Sequence, residues 1–230
     1  MPITPLIHIT AAFSNDVLVA IMPHVNDFAK KLDLPIPLPI TTNQVFRFNV
    51  NPIQGFVGGG LWLTNHYQFI FNNGCVDSFK LLQGNPFLTE DPAKDWPQYI
   101  GKEIITTNEA IEFARDSLRK LGYDPKMLHA DVSPSSIEGS YDLKEGHFPY
   151  CQIKWLKEAH APEEMNDACS LTFQINMADR SIIGMTIISR KIWQPNPNID
   201  IQPELESDYR KRMQSSTNAP AHLNLNTGKP

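Results

Sequence analysis

Phe69-Ile70-Phe71-Asn72-Asn73-Gly74-Cys75-Val76 is the stretch on which the fold turns. An Asn-Gly pair between alternating apolar residues is the strongest short-range hairpin signal, because a type I′ turn needs positive φ at both central positions. Ile175-Asn176-Met177-Ala178-Asp179-Arg180-Ser181-Ile182 repeats the plan later in the chain. Leu61–Thr64 and Tyr67–Phe71 flank a short Asn65-His66 turn, and Phe46, Phe48 and Val50 alternate with Val45, Arg47 and Asn49. Strict alternation marks half-buried strands. Around the later hairpin, Cys151, Ile153 and Trp155 alternate with polar neighbours, as do Leu171, Phe173, Ile175 and Met177, and then Ile183, Met185 and Ile187. Each sheet therefore has one apolar and one wet face, the pattern of an antiparallel sheet covered on one side.

A helix precedes each run of strands. Val17, Ile21, Val25, Phe28 and Leu32 recur at helical spacing, with Ser14 as the expected N-cap and an end near Asp33. Pro23 falls inside this helix, and Pro35-Ile36-Pro37-Leu38-Pro39 forces an extended connector behind it. Thr106-Thr107-Asn108-Glu109 is a capping box, and Ala110, Phe113, Ala114, Ser117, Leu118 and Leu121 form the face of a second helix that Gly122 ends. The two helices close on matching words, Phe28-Ala29-Lys30-Lys31-Leu32-Asp33 and Ser117-Leu118-Arg119-Lys120-Leu121-Gly122. The plan is thus α+β: two tandem units, each a helix on an antiparallel meander, over 14–82 and 106–193. A proline-bearing linker, 83–105, joins them, 133–147 reads as a polar loop, and a Pro-rich and polar tail runs from 194 to 230.

Composition narrows the function classes. A 41% hydrophobic content with 12 Phe and 4 Trp supplies real cores. A net charge of −5 gives no basic footprint for nucleic acid. No apolar run approaches the roughly 18 residues of a transmembrane helix. The start of the chain lacks the basic, continuously apolar pattern of a signal peptide, so the expected compartment is the cytoplasm, or an extracytoplasmic one if a leader precedes this Met. Cys75, Cys151 and Cys169 have no metal-type spacing, read as small buried apolar residues, and Cys75, at the edge of its sheet, is expected to form no disulfide.

Thr106-Thr107-Asn108-Glu109-Ala110, Tyr150-Cys151-Gln152-Ile153-Lys154-Trp155 and Asn176-Met177-Ala178-Asp179-Arg180-Ser181-Ile182 together resemble the PepSY family over about 106–190. The family opens on a Thr-x-x-Glu-Ala helix followed by a three-stranded meander, and Arg180 stands where it usually has a turn glycine. The resemblance implies a cystatin-like fold and a role among propeptides, protease regulators or envelope proteins. It brings no catalytic residues.

Gly58-Gly59-Gly60 lacks the Lys-Ser/Thr of a phosphate loop and leads into a strand, so a glycine-eased bend is expected. Gln54-Gly55-Phe56-Val57-Gly58 approaches the Gln-x-Val-x-Gly loop of cystatins with Val one position late, and Asp95-Trp96-Pro97 is its candidate companion; chance is the reading taken. His147, Cys151, His160 and Cys169 form only a loose cluster, too scattered for zinc or a Cys–His nucleophile. Asp142, Glu145, Glu158, Glu163, Glu164 and Asp167 read as a solvated acidic face. No catalytic, cofactor or metal residue is assigned. The expected function is a non-enzymatic binding or regulatory module for a protein or peptide; the alternative is an enzyme with a site in the cleft between the units.

Overall fold

The computed structural model describes residues 11–53, 56–83, 85, 94, 102, 104–139, 142–143, 146–147 and 149–192. The first helix, α1, runs Ala11–Lys31 with Pro23 inside it. Ser14 is therefore not a cap. Phe13 is buried, and its burial holds an extra turn in place ahead of the serine. Asp33 ends α1 at φ 51°, with Leu34 N–H bonded to Ala29 O and Asp33 N–H to Lys30 O. That bond pair is a Schellman motif. The second helix, α2, runs Thr107–Leu121 and ends the same way: Gly122 sits at φ 91°, its N–H on Arg119 O and that of Tyr123 on Leu118 O. The expected capping box forms, with Thr106 N–H donating to Glu109 at 2.8 Å and Glu109 N–H to Thr106 Oγ1 at 3.2 Å.

The strands are β1 (Val45–Ile53), β2 (Phe56–Leu63), β3 (Tyr67–Asn72) and β4 (Cys75–Leu81), then β5 (Ser136–Glu138), β6 (Asp142–Leu143), β7 (Gly146–His147), β8 (Tyr150–Lys157), β9 (Cys169–Asn176) and β10 (Ser181–Ser189). Eight of them form one antiparallel sheet in the order β1-β2-β3-β4-β10-β9-β8-β5, and β6 pairs only with β7. Each helix is thus followed by four strands of this sheet, and the two sets meet through their last strands. The fold is α+β: among the described residues, α1 and α2 accompany one continuous eight-stranded sheet and the small β6–β7 ribbon.

Register explains the layering. Phe48, Leu61, Phe69, Phe79, Met185, Phe173, Ile153 and Ile137 are successive partners across all eight strands. Apart from the exposed Ile137, this apolar row belongs to or packs against one hydrophobic cluster that also holds the buried faces of α1 and α2. Phe28 of α1 meets Phe69 and Phe79 edge-on at 6.2 and 5.6 Å. The next row, on the opposite face, reads Arg47, Trp62, Gln68, Lys80, Gly184, Gln174, Gln152 and Glu138.

Further expectations change at this level. Ile183 does not alternate with Met185 and Ile187: β10 bulges between Ile182 and Gly184, and Ile182 takes the buried face instead. Phe46 does not share a face with Phe48 and Val50: the register shifts between Val45 and Arg47, and the bulge leaves Phe46 61% exposed. The stretch 133–147 is not all loop, since β5 pairs with β8 at Ser136–Glu138. The meander after α2 accordingly has four strands in the sheet, not three. Cys75 is not on an edge strand, because β4 lies between β3 and β10. The Asn73-Gly74 turn is as expected, with φ of 48° and 78°. In the glycine run, a Cβ on Gly59 would lie 2.2 Å from Asn49 O and 2.8 Å from the Phe71 ring, so close approach of β1 and Phe71 requires the glycine. The proline-rich connector is pinned by Asn26, which donates to Ile40 O at 2.9 Å and accepts from Ile40 N–H at 2.6 Å. Most of the linker 83–105 and all of the tail 194–230 lie outside the described residues. Asn85, which is described, is buried and bonds Leu81 O and Gln174.

Candidate functional site

β4 pairs with β10 at only three positions, Ser78–Thr186, Phe79–Met185 and Lys80–Gly184. Toward Cys75 and Ser189 the two strands no longer pair. A cavity of about 300 Å³ opens there, walled by α1, the β3–β4 turn, the end of α2 and Ile192. His24, Phe28 and Lys31 reach it at helical spacing from α1. Asn73, Gly74 and Val76 present the turn, and Leu121 with Tyr123 presents the Schellman end of α2.

At its centre the Cys75 thiol and the Tyr123 hydroxyl share a hydrogen bond of 2.9 Å. Burial pushes the thiol above its ordinary range; the Tyr123 bond opposes this, and the Asp77 carboxylate adds to it. Burial also raises Tyr123, reinforced by Cys75 and Asp77. Asp77 is itself buried and accepts from Asn72 at 2.5 Å. At the rim, Lys31 pairs with Asp27 at 2.8 Å, and Lys120 joins the helix ends by reaching Asp33 at 3.0 Å. Burial thus favours the neutral form of both groups. The cavity joins apolar side chains (Phe28, Val76, Leu121, Ile192) to hydrogen-bonding and charged ones (His24, Asp27, Lys31, Asn73), the mixed composition of a recognition pocket.

Apart from Cys75 and the Asn73-Gly74 turn, the residues singled out from the sequence lie elsewhere. Gly58–Gly60 belong to β2 and cradle no ligand geometry. Val57 and Gly58 are also in β2, whereas Gln54, Gly55 and Asp95–Pro97 fall outside the described residues. Cys151 is buried in β8, with its pKa pushed up by burial to about 12, and Cys169 donates to Leu128 O at 3.5 Å. All three cysteines are free thiols. Among the described residues no group of three or more His, Cys, Asp or Glu could hold a metal. Glu158, Glu163, Glu164 and Asp167 of the acidic stretch are exposed. Asp167 pairs with Lys191 at 2.7 Å, which holds its carboxyl below the ordinary range, and Glu164 accepts from His160 N–H at 2.9 Å. Sequence reasoning missed Tyr123 and Cys75 as a pair. They lie 48 residues apart, so no local motif joins them. The one usable signal is the position of Tyr123, directly after the Gly122 helix stop.

Among the described residues, no helix is long and apolar enough to cross a membrane. No family model, curated protein or solved structure matches this chain.

Proposed function

We propose that this chain is a non-enzymatic binding or regulatory module for a protein or peptide, made of two tandem PepSY-like helix-and-meander units, with the cavity around Cys75 and Tyr123 as its recognition site. The observation that carries the reading is the Cys75–Tyr123 hydrogen bond in a cavity that Phe28, Val76, Leu121 and Ile192 also line. It suits an apolar side chain with one polar end. The tandem reading draws on the two helices with equivalent Schellman ends, each followed by four strands. Protease regulation or envelope association is the setting that the PepSY resemblance implies. The alternative, an enzyme in the same cleft, would draw on His24, Asp27 and Lys31, which line it too.

The test is selection of a displayed random-peptide library on the full chain, with Leu121→Arg as the counter-variant. Leu121 is half-buried on the cavity wall, so arginine there blocks the site without emptying the core. Enriched peptides should bind the wild-type chain and lose at least about tenfold on the variant, which is roughly 1.4 kcal/mol. Peptides that bind both chains equally overturn the placement of the site, and a selection that enriches nothing counts against peptide recognition.

A further inference from the structure

The sheet is unevenly sewn. β8 and β9 pair at eight positions, from Tyr150–Asn176 to Lys157–Cys169, and β3 pairs with β4 at six, whereas β4 pairs with β10 at three. Those three sit at the far end of the junction from the cavity. Across the seam, Ser78 Oγ and Thr186 Oγ1 share a bond at 2.9 Å, and Asn85 bridges Leu81 O and Gln174 at the end away from the cavity. On the cavity side, the Cys75–Tyr123 hydrogen bond and the exposed Lys120–Asp33 pair link the two halves. An exposed ion pair contributes little, so the Cys75–Tyr123 bond is the stronger of these two ties.

We infer that the β4–β10 seam opens as a unit from its cavity end, with the Cys75–Tyr123 contact as its latch, and that filling the cavity fixes how the two halves of the sheet are seated. Proteins open in cooperative pieces, and a piece held by few buried hydrogen bonds opens before the rest. Here the short seam lies between two well-paired meanders, so opening it breaks three rungs and parts the buried Phe79–Met185 contact but leaves each meander intact. An occupant touching Phe28 and Val76 on one side and Leu121 and Tyr123 on the other bridges both halves, and so opposes opening. The coupling to an occupant rests on the binding reading above; the opening itself does not.

Native-state hydrogen exchange on the full chain, resolved by residue, separates the two. Amides of Ser78–Lys80 and Gly184–Thr186 that point across the seam should exchange at least about tenfold faster than those between β8 and β9. Tyr123→Phe, which keeps the ring and removes the hydroxyl, should speed seam exchange by roughly fivefold while leaving β2–β3 and β8–β9 unchanged. Seam amides protected as well as the meanders, or a Tyr123→Phe effect spread evenly over the sheet, overturn the inference. A seam that opens as expected in a chain that selects no peptide keeps this inference and sinks the binding reading alone.

Discussion

The two helices end alike and pack oppositely. Counting back from the αL residues Asp33 and Gly122, Ile21, Val25 and Phe28 of α1 stand where α2 has Ala110, Ala114 and Ser117, and all six are buried. The sheets do not reverse the bias. β2, β3 and β4 carry Leu61, Leu63, Phe69, Phe71 and Phe79, and β8 and β9 carry Ile153, Trp155, Leu171 and Phe173, all almost fully buried. Of the glycines in β2, Gly59 alternates onto the face of Leu61 and Leu63, and Gly58 and Gly60 onto the other. A bulky helix face and a small-residue helix face thus close over equally bulky sheets. Interiors fill to a constant density, so the small-residue face has to lie nearer its sheet. Backbone instructions at the helix ends are shared, and side-chain volume on the helix faces is not.

The comparison breaks most sharply through volume. Ile21→Ala should cost about 2–5 kcal/mol, since it empties a fully buried position. Ala114→Leu should cost about 1–3 kcal/mol by overpacking, because Ala114 is also fully buried. Urea denaturation midpoints measure both. An unchanged midpoint for Ala114→Leu removes the small-face account of α2.

Alkaline pH probes buried groups in both halves together. Burial raises Cys75 and Cys151 above their ordinary 9.0, and Tyr67 and Tyr123 above 10.0. A raised folded value means the unfolded chain releases its protons first, so stability is whole below about pH 9 and falls as pH rises through the folded values. The melting temperature should stay level from pH 7 to about 8 and drop beyond pH 9 to 10. A level profile up to pH 11 contradicts the burial assigned to these groups.

Much of this layout is legible in the sequence because it is local. Thr106 with Glu109, Gly122, and Asn73-Gly74 each specify a backbone conformation within four residues, and each forms. β8 and β9 follow from alternation alone, whereas the bulge at Ile183 breaks the alternation expected in β10. What the sequence hides is non-local or too short. β5 is three residues long, below the length at which alternation is a pattern. The bulge that turns Phe46 outward arises from pairing with β2, not from Phe46 or its neighbours. Union of the halves through β4 and β10 is a backbone-to-backbone choice of edges, and side-chain periodicity says nothing about it. The candidate site inherits that blindness, since it exists only where those two strands part.

The β3–β4 turn offers a smaller test. Gly74 sits at φ 78°, so Gly74→Val puts a β-branched residue in the left-handed region at a cost of about 1–3 kcal/mol. Cys75→Ser keeps a hydroxyl within reach of Tyr123 and should cost less. Thermal melts of the two variants rank them, and a Cys75→Ser loss exceeding that of Gly74→Val would place the tension in the thiol contact instead of the turn.

The smallest expected effect returns to the helix ends, where the two halves are most alike. Gly122 and Asp33 occupy the same C′ position, yet only glycine takes φ 91° or 51° without strain from a Cβ. Gly122→Ala should therefore cost about 1 kcal/mol, since a Cβ added there meets nothing within 4 Å and only the backbone term remains. Asp33→Gly should do the reverse and gain a few tenths of a kcal/mol. The gain is trimmed by the loss of the exposed Lys120 pair, itself worth under about 1 kcal/mol, and by the greater freedom of glycine in the unfolded chain. High salt screens that ion pair, so the Asp33→Gly gain should grow in 1 M salt while the Gly122→Ala cost stays fixed. If both changes move stability in the same direction at both ionic strengths, the two helix ends are not equivalent, and the correspondence between the halves reduces to strand order.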